Sequence, residues 1–204
     1  MTLEAGDHIW YWNGNISPTQ NIPQRDWFGT TAPNDYGGNG KDIYNYVVYA
    51  DEVVRGRPHM RNLEGSFSWL NNNPGNITGV SGGPDFGQFP GKFNWHNFLI
   101  FPTWEAGTDA IAQLLRGPGY VSLSLTDAFA RYAPGGDGGN SPAAYAQAVA
   151  DAVGVDVSTT VGDLDDDQML AMQNKITEIE GAVAGESFAY DAADLPDEIK
   201  SELS

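Results

Sequence analysis

Apolar residues recurring three and four positions apart predict helices along much of this chain. In KDIYNYVVYADEVVRG, Ile43, Tyr46, Val47, Ala50, Val53 and Val54 carry that spacing, and Gly56 with Pro58 closes it. The pattern predicts a helix leading toward Glu64. TWEAGTDAIAQLLRG places Ala106, Ala110, Ile111, Leu114 and Leu115 on one face, with Thr103 as N-cap and Gly117-Pro118 as the stop. SLTDAFARYAP reads as a short helix ended by its proline. NSPAAYAQAVADAVGV offers Ser141 as cap, Pro142 at the first helical position and Gly154 past the end. LDDDQMLAMQNKITEIEG aligns Met169, Met172, Ile176 and Ile179 on one stripe and closes at Gly181, and the tail LPDEIKSELS is an acidic terminal helix at most.

Elsewhere the helical period is lost. Residues 1 to about 40 concentrate aromatic, Asn, Gly and Pro residues, which predicts irregular packing with a short strand at Ile9 to Trp12. NNNPGNITGVSGGPDFGQFPGKFNWHNFLIF is crowded with Gly, Pro and Asn around short aromatic and β-branched runs, so a small hairpin region is expected there and no helix. The layout is a helix, a glutamate, a small Gly/Asn-rich lobe and then a bundle of helices. It predicts an α+β, mainly α fold. Residues 1–60 would be an aromatic-rich segment with its leading helix packed on the core, and residues 61–204 a single functional domain. No repeat of solenoid period is present.

Charge narrows the function classes. Ten Lys and Arg against 27 Asp and Glu give 204 residues a formal charge of −17, so nucleic acid and anionic membrane surfaces are disfavoured as partners. The chain has no cysteine, which removes disulfides, zinc-thiolate sites and thiol nucleophiles together. His8, His59 and His96 are scattered and form no HxxxH-type pair, so neither a metal nor an organic cofactor is expected. Neither a signal peptide nor an apolar run long enough to cross a bilayer is visible. The chain is expected either to stay inside or to be carried out by something else.

One series of segments carries a family resemblance. NNNPGNI (Asn71 to Ile77), FGQF (Phe86 to Phe89), FPTWEAGTDAIAQLL (Phe101 to Leu115), RYAP (Arg131 to Pro134), NSPAAYAQAVADAVGV (Asn140 to Val155) and the closing TEIEG follow one another in order. From about Trp69 to Gly181 the chain resembles the phage virion-associated lysozyme-like proteins and related secreted cell-wall hydrolases marked by an NNNPGN sequence. It is similar also to the lysozyme module at the C-terminal end of a type VI secretion effector. Residues 1 to about 60 lie outside the resemblance. It implies a lysozyme-like fold with a helical lobe and a small β-lobe, and cleavage of the peptidoglycan glycan strand, as a muramidase in the first place. It further implies a monomer delivered to the periplasm of a target bacterium, with delivery machinery and an immunity protein as partners. Many free lysozymes are basic, and the acidity of this chain favours delivery on a larger machine, where proximity replaces electrostatic capture.

Under that resemblance Glu64 is the general acid. Protonating a glycosidic leaving oxygen needs a carboxyl group that keeps its proton near neutral pH, and an apolar setting achieves this by penalising the charged form. Leu63, Phe67, Trp69 and Leu70 are close to Glu64 in sequence. Asn71, Asn72, Asn73 and Asn76 would supply neutral donors and acceptors to sugar hydroxyls or to a water, and Pro74-Gly75 a tight turn. Asp85 or Glu105 would be the second carboxylate. Each of these residues has a plainer reading as well. Glu64 and Asp85 could be solvated loop acids, the asparagines a turn, and Glu105 a charge that the helix dipole favours. Asp163 to Asp167, DLDDD, lacks the glycine and closing glutamate of a calcium loop and reads as an acidic helix start. Muramidase, glucosaminidase and lytic transglycosylase all remain open, as does a non-catalytic peptidoglycan-binding or virion structural module.

Overall fold

The structure is a computed structural model that describes residues 2–12, 15–18, 43–57, 65–94, 96–135 and 141–203. Among the described residues five strands form one sheet: β1 His8–Trp12, β2 Asn15–Pro18, β3 Ile43–Val48, β4 Glu52–Gly56 and β5 Glu186–Ala189. The order is β2-β1-β3-β4-β5, and every pair is antiparallel.

The helix expected from Lys41 to Gly56 is overturned. This stretch holds β3 and β4, joined through Tyr49 to Asp51, where the Tyr49 N–H donates to the Glu52 carbonyl at 2.8 Å. The cause is burial of both sheet faces. Tyr46, Val48 and Val53 pack on one face with Ile9, Phe188, Leu195 and Ile199. Val47 and Val54 pack on the other with Tyr49, Leu70 and Ile100. A strand apolar on both sides shows no alternation, and its continuous run of apolar residues contains helical spacings by accident.

The fold class is corrected with it. The fold is mixed α+β, and the mainly helical, lysozyme-like arrangement with a small Gly/Asn-rich β-lobe does not describe it. Among the described residues the sheet comes from 8–12, 15–18, 43–48, 52–56 and 186–189. The expected lobe carries isolated bridges instead, Thr78 with Phe98 and Phe93 with Leu99. Its glycines and prolines interrupt any longer ladder.

Two compact units are present: residues 1–107 with 182–204, and residues 108–181. The first holds the sheet and the short helix α1, Phe67–Leu70, capped by Ser66. It also holds the start of α2, Trp104–Arg116. After β5 the chain returns through α6, Asp197–Lys200, and the Leu3 N–H donates to the Glu202 carbonyl at 3.0 Å.

The second unit continues α2 and adds α3 (Leu125–Tyr132), α4 (Pro142–Val153) and α5 (Asp166–Glu180). Local signals set their ends. Ser124 accepts from the Asp127 N–H at 3.1 Å and Ser141 from the Ala144 N–H at 3.3 Å. Gly154 closes α4 in the left-handed region at φ 78°. Asp165 and Gln168 form a capping box, so the DLDDD run is the start of α5, where acids complement the helix dipole. The rings of Phe129 and Tyr145 stack with centroids 4.7 Å apart.

Buried phenols give this protein an alkaline limit. Burial, then the Glu180 charge, pushes the Tyr145 hydroxyl far up, and its proton is donated to Glu180 at 2.9 Å. Tyr49 is raised by burial and then by Glu52, and donates to the Leu70 carbonyl at 2.7 Å. An unfolded tyrosine ionises near pH 10, so the stability these neutral phenols contribute is complete below that pH and is lost as pH rises above it. Circular dichroism followed through an alkaline titration should show unfolding that begins above about pH 10 and coincides with the buried-tyrosine absorbance change. Phenolate appearing well before the loss of structure would contradict this.

Candidate functional site

The asparagine turn is built on the C-terminus of α1. The Asn71 N–H donates to the Phe67 carbonyl at 3.0 Å, and the Asn73 N–H to the Ser68 carbonyl at 2.8 Å. Asn73 is fully buried and its amide is fully used. Nδ2 donates to the Ile77 and Leu99 carbonyls and Oδ1 accepts from the Ile77 N–H, all at 2.9 Å. It therefore pins the turn to the strand-like segment before α2.

The turn and α2 are knitted together. The Phe101 N–H donates to the Asn71 carbonyl at 2.9 Å, and Asn72 Nδ2 reaches the Phe101 carbonyl at 3.5 Å. At Gly107, in the second turn of α2, a Cβ would lie 1.9 Å from the Asn72 carbonyl oxygen and 2.8 Å from Pro74 Cδ. A side chain here would displace the turn. The NNNPGN and FPTWEAG segments thus depend on each other for backbone contact.

Asn72 and Asn76 sit at φ 48° and 44°, the left-handed region, which asparagine tolerates better than most non-glycine residues. Asn71 is fully buried, and both Nδ2 and Oδ1 lack a hydrogen-bond partner among the described residues. An unpaired buried amide costs about 1–3 kcal/mol, so its presence calls for a reason other than stability. Replacing Asn71 with leucine should leave the melting temperature at or above the wild-type value, because the desolvation penalty disappears and offsets the extra volume. Any activity that uses the amide should be lost. A fall of several degrees in a calorimetric scan would mean that the amide is paired in solution.

Glu64 lies outside the described residues, as do His59, Trp27 and Trp95. The residue that follows it is firmly held. Gly65 sits at φ 80°, and a Cβ there would lie 2.2 Å from Gly56 Cα at the end of β4. Its N–H and that of Ser66 both donate to the Val183 carbonyl at 3.0 Å. The chain directly after Glu64 is therefore anchored between β4 and the lead-in to β5.

The two proposed second carboxylates are both exposed. Asp85 Oδ1 accepts from the Gly87 N–H at 2.8 Å, a turn contact within its own loop. Glu105 occupies the first turn of α2, where the dipole favours a negative charge. No group of three or more His, Cys, Asp or Glu suited to a metal ion occurs among the described residues.

A group of rings escaped the sequence reading. Phe67, His96 and Phe98 contact one another with centroids 5.6, 5.7 and 5.9 Å apart. His96 is exposed and the two phenylalanines are half-buried. Asn94 holds this loop, its Oδ1 accepting from the His96 and Phe98 N–H groups at 2.9 and 2.8 Å. Buried His8 approaches Phe67 at 6.4 Å from the sheet side. The available signal was the aromatic density of KFNWHNFLIF, but its joining to Phe67, about thirty residues earlier, has no local signature.

No protein-family model, curated protein or solved structure matches the chain.

Proposed function

We propose that this protein cleaves the glycan strand of peptidoglycan, with Glu64 as the general acid that protonates the leaving glycosidic oxygen. The supporting observation is the concentration of unfavourable local features in Asn71 to Asn76, the turn that follows Glu64. A buried amide with no hydrogen-bond partner among the described residues and two left-handed asparagines lie together in this turn. Such violations cluster where recognition or catalysis requires a group to be held ready.

In this reading half-buried Asn72 presents neutral donors and acceptors to substrate or to the attacking water, while buried Asn71 and Asn73 hold the turn through the Phe101, Ile77 and Leu99 backbone. Asp85 and Glu105 are the carboxylates available as base or nucleophile; if neither serves, the substrate's own acetamido group assists. Hydrolysis adds water across the C1–O bond, leaving a free reducing end on one fragment and the proton from Glu64 on the other. The acidic chain suits a module carried to the wall by a larger assembly, with an immunity protein protecting the producing cell.

A non-catalytic wall-binding module is the second reading, favoured by the exposure of both Asp85 and Glu105. Digestion of purified peptidoglycan followed by mass spectrometry separates the two. Muropeptides with ordinary reducing ends are expected. A 1,6-anhydro product would convert the assignment to transglycosylation, whereas retention on the wall without any released fragment would establish the binding module.

A further inference from the structure

We infer that Phe67, His96 and Phe98 form a stacking platform for a sugar ring of a neutral, acetamido-bearing glycan. This inference rests on the proposed action on the wall and names a subsite for it. The three rings brace one another at 5.6 to 5.9 Å, so they lose little freedom when a ligand settles on them. His96 is exposed to solvent and the phenylalanines are so in part.

The surroundings decide the ligand class. Asn97 and Thr78, on either side of the bridge that carries Phe98, are exposed and neutral. The Gly79 N–H bonds the Asn97 carbonyl at 2.9 Å, which holds these two segments together. A pyranose has apolar C–H faces that match aromatic rings and a rim of hydroxyl and amide groups that match Asn and Thr. Nucleic acid and anionic lipid would also find rings here, yet a chain of charge −17 repels both. Position agrees as well. Phe67 opens α1 and the asparagine turn begins directly after its last residue, Leu70, so one short helix joins the platform to the turn.

Binding of chitotetraose and of soluble uncrosslinked glycan strands, measured by titration calorimetry in the Glu64→Gln background, tests this. His96→Ala and Phe98→Ala should each weaken binding about tenfold, a loss of about 1.4 kcal/mol, and His96→Phe should retain it. With Glu64 intact, His96→Ala should raise KM and leave kcat unchanged, and His96→Phe should restore KM. If His96→Ala binds and turns over like the wild type, the platform is wrong while the hydrolase reading stands. If the chain never cleaves glycan but binds chitotetraose in a His96-dependent way, the platform stands and the hydrolase reading falls. Absence of saccharide binding in every variant and in the wild type overturns the platform.

Discussion

Replacing Glu64 with glutamine should lower the rate of glycan cleavage by at least about 100-fold, the lower end of what general acid catalysis contributes. Glutamine keeps the size of the side chain and most of its hydrogen bonding but has no carboxyl proton to donate. The leaving alkoxide would then depart unprotonated, and that step carries the barrier. Folding should be unaffected, since glutamine is isosteric and the backbone that follows is held by Gly65 against β4 and by the Val183 carbonyl. Release of soluble fragments from dye-labelled peptidoglycan, compared with wild type at equal concentration, measures the loss. Near wild-type release with an unchanged melting curve would falsify the assignment of Glu64.

Gly107→Ala should destabilise the protein, although helix propensity alone argues the opposite. Alanine is favoured over glycine in a helix interior by about 1 kcal/mol. The new methyl would lie 1.9 Å from the Asn72 carbonyl oxygen and 2.8 Å from Pro74. Neither obstacle is the flexible end of a side chain, and the turn is fastened by the bonds of Asn73 and by Phe101 to Asn71. Overpacking of this kind costs about 1–3 kcal/mol and more when backbone must move, so the sum is a net loss of about 2 kcal/mol. For a chain of this size that lowers the melting temperature by about 4–8 °C. Gly119→Ala is the matched control, because its nearest neighbour is the movable Arg131 Nη1 at 3.4 Å. An equal or higher melting temperature for Gly107→Ala in a calorimetric scan would show that the turn and α2 are not in backbone contact.

Wherever structure is encoded by neighbours in sequence, this chain is legible. Thr103, Ser141 with Pro142, the acidic start at Asp163 to Asp167, Gly154 and Gly181 mark helix ends that the folded chain keeps, because a cap acts on N–H or carbonyl groups within four residues of itself. The turn at Asn71 to Ile77 is legible for the same reason, since Pro74-Gly75 and the Asx contacts of Asn73 are local. The candidate site was legible only in its central stretch. The asparagines could be singled out, but not the division of labour by which Asn73 is consumed in structure while the Asn71 amide has no partner among the described residues.

Tertiary structure alone decided the sheet and the ring cluster. Whether Tyr46 to Val54 is strand or helix depends on two layers supplied from elsewhere. One is Leu195 and Ile199 near the C-terminus, and the other is Leu70 and Ile100 in the middle of the chain. Arg55 finds its ion pair in Glu186, 131 positions away, across the β4–β5 ladder. His96 and Phe98 reach Phe67 only after the turn at Asn71 to Ile77 has folded their loop back beside α1. A three-and-four spacing of apolar residues records how many positions are buried, and the direction of burial is set by the surfaces that arrive to cover them.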